Sequence, residues 1–280
     1  MNYADELINK IIEKQNPSVV GLDPSVDQMS SLKGEADEET AKNFFQLNKA
    51  IIDAVHDFVP AVKPQSAFYE VYGASGMAAL KQTIDYAHSK KLLVIIDAKR
   101  GDIGHTSQAY ADAWIGERGT GFDCDCITVN PYLGSDGILP FVNNAKKFGK
   151  GIFALVKTSN PGSGEFQDIK NERGELNYET VAKQVVEWGK DSIGEKGISS
   201  IGAVVGATFP AQAVGLRKLM AQQLFLVPGF GAQGGAATAV VPCFNEKGLG
   251  AVVNNSRGIM FAYKKLGFKE EQFADAARQA

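Results

Sequence analysis

The chain has 280 residues, 44% of them hydrophobic and 22% charged. This is a globular balance with ample length for a large core, as one domain of barrel size or two smaller ones. A net charge of −3 and a pI near 5.7 give no reason to expect nucleic acid or an anionic membrane as a partner.

Three cysteines, Cys124, Cys126 and Cys243, with no C-x-x-C spacing, point to a reducing compartment and to neither zinc nor a disulfide framework. The first residues, MNYADELINKII, are amphipathic and carry acids, unlike a signal peptide. No apolar run is long enough to span a bilayer, and the expected location is cytoplasmic.

Leu7, Ile8, Ile11 and Ile12 have helical spacing, so a short amphipathic helix opens the chain and Pro17 ends it. Ser18 to Leu22 is the first strand and closes at Asp23-Pro24. A polar loop over 26–36 precedes a helix from about Asp37 to Phe58. Val59 to Val62 is the second strand, ending at Lys63-Pro64-Gln65, and a helix of about Ser75 to Ser89 follows. The third strand, Leu92 to Ile96, is an unbroken apolar run that suits burial on both faces. A helix from roughly Thr106 to Glu117 leads to a fourth strand, Cys124 to Val129, and a helix around Asp136 to Ala145 to a fifth, Gly151 to Val156. Residues 160–177 are the longest irregular stretch. A helix from Glu179 to Gly194 precedes strands at Ile201 to Val205, Leu224 to Val227 and Ala251 to Val253.

Eight short apolar strands alternating with helices at even spacing make an α/β pattern. The expectation is a (β/α)8 TIM barrel, a single domain over 1–280 with a short N-terminal helix. A doubly wound open sheet is the competing fold; the even count and near-constant unit length favour closure. Polar residues collect where the strands end: Asp23, Lys63, Asp97 with Lys99, Asn130, Lys157 with Ser159, and Asn254 with Asn255. In a barrel those ends converge at one mouth, where active sites sit.

The sharpest stretch is Leu92 to Ala111, LLVIIDAKRGDIGHTSQAYA. Polarity flips within one residue after Ile96, and Asp97, Lys99, Arg100 and Asp102 follow. Asp97 and Lys99 are two apart at a strand end, so alternation would send both side chains to one face. Asp102 could return to them from the turn or reach a neighbouring subunit. A unit charge pair near 4 Å is worth about 4 kcal/mol at an effective dielectric of ~20, which keeps the lysine charged. A charged lysine aimed into a dry pocket can protonate a carbanion, whereas a Schiff-base lysine needs a depressed pKa. A plain surface salt bridge after an ordinary strand is the alternative.

Pro228-Gly229-Phe230-Gly231-Ala232-Gln233-Gly234-Gly235 follows the seventh strand, and Asn255-Ser256-Arg257-Gly258 the eighth. Glycines let backbone amides approach a phosphate, and barrel phosphate sites use these two loops. Tight turns alone are the competing reading. His56, His88 and His105 do not cluster; the first two fall late in helices, and His105 lies in the central stretch, close in sequence to its charges. No metal-ligand spacing appears, so no metal is expected, and no Ser-His-Asp arrangement or nucleophile elbow is evident. Phe44, Phe45, Phe68 and Tyr69 read as core.

The spacing Asp97-x-Lys99-x-x-Asp102-Ile103-x-x-Thr106 resembles the catalytic signature of the orotidine 5'-phosphate decarboxylases. Gly21-Leu22-Asp23, Lys63-Pro64 and Pro228-Gly229-x-Gly231-Ala232-Gln233-Gly234-Gly235 extend the likeness along the chain. The longer forms Lys63-Pro64-Gln65-Ser66-Ala67-Phe68-Tyr69-Glu70 and Asn254-Asn255-Ser256-Arg257-Gly258 resemble the longer bacterial, type 2, subfamily. The resemblance implies cofactor-independent decarboxylation of orotidine 5'-monophosphate to UMP, the last step of de novo pyrimidine synthesis. It implies that Lys99 protonates C6 while Asp97 lies beside the departing carboxylate, and that Lys63 orders this charge row and the ribose hydroxyls. Asp23 would bind ribose, Ser159 the pyrimidine edge, and Gln233 and Arg257 the phosphate. Asp102 would be catalytic and Ile103 and Thr106 would bind substrate, with Asp102 and Thr106 crossing into the partner's site in a homodimer.

Two departures stand out. The segment Asn160 to Asn177 is longer than in compact members, and the eighth strand ends in Asn-Ser-Arg where they have Gly-Arg. Two rival readings remain. Metal-dependent hexulose-phosphate synthases and keto-gulonate-phosphate decarboxylases share the Asp-x-Lys-x-x-Asp core. A non-catalytic nucleotide-binding protein would be expected to have lost Lys99 or one of its acids, and all are present.

Overall fold

A computed structural model describes residues 2–229 and 237–280. Eight parallel strands hydrogen-bond in the order of the sequence and close into a barrel: β1 (Ser18–Leu22), β2 (Ala61–Pro64), β3 (Leu93–Arg100), β4 (Cys126–Val129), β5 (Gly151–Lys157), β6 (Ser199–Val205), β7 (Gln223–Val227) and β8 (Ala251–Asn255). The expected (β/α)8 barrel is the observed fold, with the short opening helix at Tyr3–Lys14. No helix among the described residues is long and apolar enough to cross a membrane.

Contacts divide the chain into two compact units: Lys10–Ala98 with Asn255–Ala280, and the chain up to Asn9 with Lys99–Asn254. In the first unit, β1 pairs with β2 from Val19↔Ala61 to Leu22↔Pro64, and β2 with β3 at Ala61↔Leu93 and Val62↔Val94. The helix Asp37–Val55 buries Phe44, Leu47, Ile51 and Ile52 on one stripe, as a 3.6-residue period requires. The helix Gly73–Ser89 buries Leu80, Ile84 and Ala87.

Between these helices lies a short helix, Ser66–Glu70, that periodicity did not predict. Its start is capped by Gln65, whose side chain accepts the Ala67 N–H, a cap outside the usual Ser, Thr, Asp and Asn set. Phe44 and Tyr69 are core as expected, but Phe68 is 38% exposed, because five residues of helix bury only one face.

In the second unit, β4 to β8 pair in sequence, with ladders such as Cys126↔Gly151, Ala154↔Ala203 and Phe225↔Ala251. All three cysteines are free and buried. The expected irregular stretch, 160–177, carries the turn Pro161–Ser163, the helix Gly164–Gln167 and a Lys170↔Leu176 bridge.

Candidate active site

The first unit assembles a charge row from strand ends. Lys63, on β2, is 3% exposed, and its Nζ lies 2.8 Å from Asp97 Oδ2 on β3. An isolated bridge between Gln65 and Asp97 carries the β2–β3 pairing beyond the named β2 strand. Burial pulls the Lys63 ammonium down, the negative charges of Asp97 and Asp23 push it up more strongly, and its pKa ends above the ordinary lysine value. The ammonium is therefore charged at any physiological pH.

Asp23 leaves the end of β1. Its Oδ2 accepts a hydrogen bond from Ser256 Oγ at 2.6 Å, and its backbone N–H points to Met260 Sδ at 3.0 Å. Its Oδ1 is buried with no hydrogen-bond partner among the described residues. One residue back, the Leu22 carbonyl accepts from the Tyr69 hydroxyl at 3.1 Å, and Asn48 Nδ2 donates to that hydroxyl at 2.8 Å. Burial raises the Tyr69 phenol far above the usual range, so it remains a donor. Arg257 is exposed immediately after Ser256.

The second unit carries the rest of the central stretch. Lys99 has φ +47°, left-handed backbone that a residue with a Cβ rarely adopts. Its N–H donates to Thr128 Oγ1 at 2.9 Å on β4. Gly101 lies so close to Asn130 that a Cβ would meet the Asn130 carbonyl at 3.1 Å, and Asn130 N–H donates to the Arg100 carbonyl at 2.8 Å. Asp102 is half-buried and its Oδ1 accepts from Ile103 N–H at 2.8 Å. Ile103 is 53% exposed, and Thr106 is exposed in the first turn of the helix Gly104–Ile115.

Ser159 is half-buried beyond β5, packed against Gly206, where a Cβ would come within 2.9 Å of the Ser159 nitrogen. The 160–177 segment is tied back to this strand end. Gln167 accepts the Thr158 N–H at 3.0 Å and donates to Thr158 Oγ1 at 2.8 Å, and Lys157 Nζ lies 2.7 Å from Asp168 Oδ1.

Several expectations change against this geometry. The alternation argument for Asp97 and Lys99 does not apply at Lys99, because its backbone is left-handed and the strand period fails there. Lys99 is also exposed rather than held in a dry pocket, as are its neighbours Ile103 and Thr106. Asp97 pairs with Lys63. Lys157 is not an open strand-end charge but fully buried, with its ammonium 4.5 Å from the Phe209 ring centroid. His105 is exposed. Gln233 and the glycines around it lie outside the described residues. Sequence reasoning missed Ser256 and Tyr69 as supports of the β1 end, and Gln167 and Asp168 as anchors of the 160–177 segment. The Asn-Ser-Arg departure on β8 was the one signal pointing at Ser256. Among the described residues no group of three or more His, Cys, Asp and Glu side chains is placed to hold a metal ion.

The sequence and fold have relatives. Residues 10–266 match the family model described as "Orotidine 5'-phosphate decarboxylase / HUMPS family". The chain is 43% identical to the orotidine 5'-phosphate decarboxylase of Rhodopirellula baltica, over 100% of this chain and 96% of that one. It is 41% identical to that of Caldicellulosiruptor bescii, over 94% and 91%. Among solved structures, the OMP decarboxylase of Leishmania donovani superposes with a TM-score of 0.74 at 30% identity, covering 100% of both chains. Full-length likeness at this identity, on a barrel whose strand ends carry Asp23, Lys63, Asp97 and Lys99, places the chain in the orotidine 5'-phosphate decarboxylase / HUMPS family.

Proposed function

We propose that, of the activities this family name covers, the chain performs the decarboxylation of orotidine 5'-monophosphate to UMP and carbon dioxide. The buried pair of Lys63 with Asp97, the latter two residues before Lys99 on β3, carries the reading. The C6–carboxylate bond breaks, its electron pair stays on C6, carbon dioxide leaves, and the Lys99 ammonium supplies the proton that C6 takes up. Asp97, fixed by Lys63, stands beside the substrate carboxylate. A preorganised ammonium opposes the charge growing on carbon without waiting for solvent to reorganise. No cofactor or metal takes part in this scheme.

The remaining roles follow the same reading. Asp23 and Lys63 bind ribose hydroxyls, Ser159 the pyrimidine edge, and Gln233 and Arg257 the phosphate. The exposed Lys99, Ile103 and Thr106, with half-buried Asp102, form a surface that a second copy covers, so that Asp102 and Thr106 complete the partner's site in a homodimer. Covering that surface also supplies the dry surroundings that Lys99 needs. Residues 1–280 act as one (β/α)8 domain, a reading supported by the closed strand order. The protein works in the cytoplasm, without nucleic acid or membrane.

The test is ultraviolet absorbance with orotidine 5'-monophosphate in excess EDTA, beside Lys99→Ala. Conversion to UMP by the unsubstituted protein alone supports the reading. No conversion, with a magnesium-dependent reaction on a sugar phosphate instead, moves the chain to the synthase branch. Tight UMP binding without turnover leaves a nucleotide-binding protein.

A further inference from the structure

Asp23 is held from one side only. Ser256 Oγ donates to Oδ2 at 2.6 Å, while Oδ1 is buried with no partner among the described residues. A buried carboxylate oxygen without a donor is costly, so such an atom calls for a ligand hydroxyl or amide. The tether comes from the turn after β8, and that turn lies directly against the end of β1. A Cβ on Gly21 would sit 2.5 Å from Ser256 Cβ, so only glycine permits the approach. The Asp23 N–H is directed at Met260 Sδ, from the same β8-following segment. Backbone and side chain of Asp23 are thus both set by residues more than 230 positions away.

We infer that Ser256 is a positioning residue for ribose recognition: its hydroxyl holds the Asp23 carboxylate so that Oδ1 is aimed at an incoming ribose hydroxyl. The inference rests on the nucleotide reading given above. A charged hydrogen bond of this length is among the stronger kinds, and it acts before ligand arrives. Without it the carboxylate can rotate and spread its acceptor over several directions, and the ribose must order it at its own cost in affinity. Because Ser256 immediately precedes Arg257, one turn serves both the sugar end and the phosphate end of the ligand.

The experiment is calorimetric titration of Ser256→Ala with UMP and with 2',3'-dideoxy-UMP, which offers neither ribose hydroxyl. Alanine keeps the Cβ against Gly21 and removes only the hydroxyl. UMP affinity should fall about tenfold and dideoxy-UMP affinity stay within twofold, so that discrimination between the two ligands collapses. Ser256→Gly, which also lacks the hydroxyl, should collapse it equally and serves if the alanine variant fails to fold. Equal weakening of both ligands would show that Ser256 only packs the turn, and no weakening that the bond plays no part; either overturns the inference. Failure of the unsubstituted protein to bind UMP would instead overturn the nucleotide reading itself, before any variant is compared.

Discussion

Lys157 Nζ lies 2.7 Å from Asp168 Oδ1, yet the lysine side chain is fully buried and the aspartate side chain 43% exposed. The ammonium also lies 4.5 Å from the Phe209 ring centroid and 5.6 Å from that of Tyr178. The pair therefore pins the middle of the 160–177 segment onto the end of β5. The two partners should respond unequally to substitution. Asp168→Ala strands a buried ammonium and should cost toward the low end of the ~3–5 kcal/mol typical of a broken buried pair, since water reaches Asp168. Lys157→Met leaves the carboxylate free to hydrate and should cost clearly less. Urea midpoints of the two variants measure the difference. Limited proteolysis should cut Asp168→Ala first between 160 and 177. Equal costs would mean that the pair is not what holds the segment.

Gly76 is the contact point between the helices Gly73–Ser89 and Ser66–Glu70. A Cβ there would lie 1.9 Å from the Tyr69 carbonyl oxygen, a backbone atom that cannot swing aside. Gly76→Ala should destabilise by about 1–3 kcal/mol, the usual cost of overpacking, despite alanine's better helix propensity. The shift should reach the active site, because the Tyr69 hydroxyl holds the Leu22 carbonyl next to Asp23. Thermal unfolding and KM for orotidine 5'-monophosphate check both parts, and a stabilised variant with unchanged KM would contradict them.

What the sequence revealed and what it hid divides along physical lines. Strands such as Ser18–Leu22 were legible to the residue, because burial on both faces writes an unbroken apolar run ended by polar residues. The β3 strand was legible only to Ile96, since the charges at Asp97, Lys99 and Arg100 end the apolar run before the strand itself ends. The left-handed backbone at Lys99 had no local signal: no glycine marks it, and the bond that accompanies it comes from Thr128, 29 residues on. Ser256 was visible as a departure from compact relatives, but its partner Asp23 lies 233 residues away. Local chemistry is readable in order; a long-range hydrogen bond between two ordinary polar residues is not.

The thiols give a prediction with a defined pH dependence. Burial raises Cys124 and Cys126 well above the usual thiol value, and burial pushes Cys243 up to about 11. The native protein should therefore show no thiol reactive toward a disulfide reagent at pH 8, and three after denaturation. Above the ordinary thiol pKa of 9.0 the unfolded chain loses protons that the native state keeps. Stability should thus fall as pH rises from about 9 toward 11. Replacing Cys243 by alanine should flatten part of that fall, which urea titrations at pH 8 and 10 would register.

Asp97→Asn separates the electrostatic role of the Lys63–Asp97 pair from simple packing. The substitution is nearly isosteric, but it leaves the Lys63 ammonium, 3% exposed, without its 2.8 Å counter-charge. Under the proposed mechanism kcat should fall about 10²–10³-fold, the usual effect of removing one preorganised charge from a transition state. Stability supplies the second readout, and its sign differs between the two proteins. In the unsubstituted protein Lys63 titrates above its ordinary value of 10.5, so its contribution is fully present below that pH and is lost only as pH rises through the higher folded value. In Asp97→Asn the desolvation that Asp97 had offset pulls the ammonium down instead. The unfolded state then binds the extra proton, and the contribution of Lys63 to the variant's stability should rise with pH toward 10. The deficit relative to the unsubstituted protein should accordingly be largest near pH 6 to 7 and narrow by pH 10. A deficit independent of pH would trace the loss to packing, and the charge row would no longer account for Asp97.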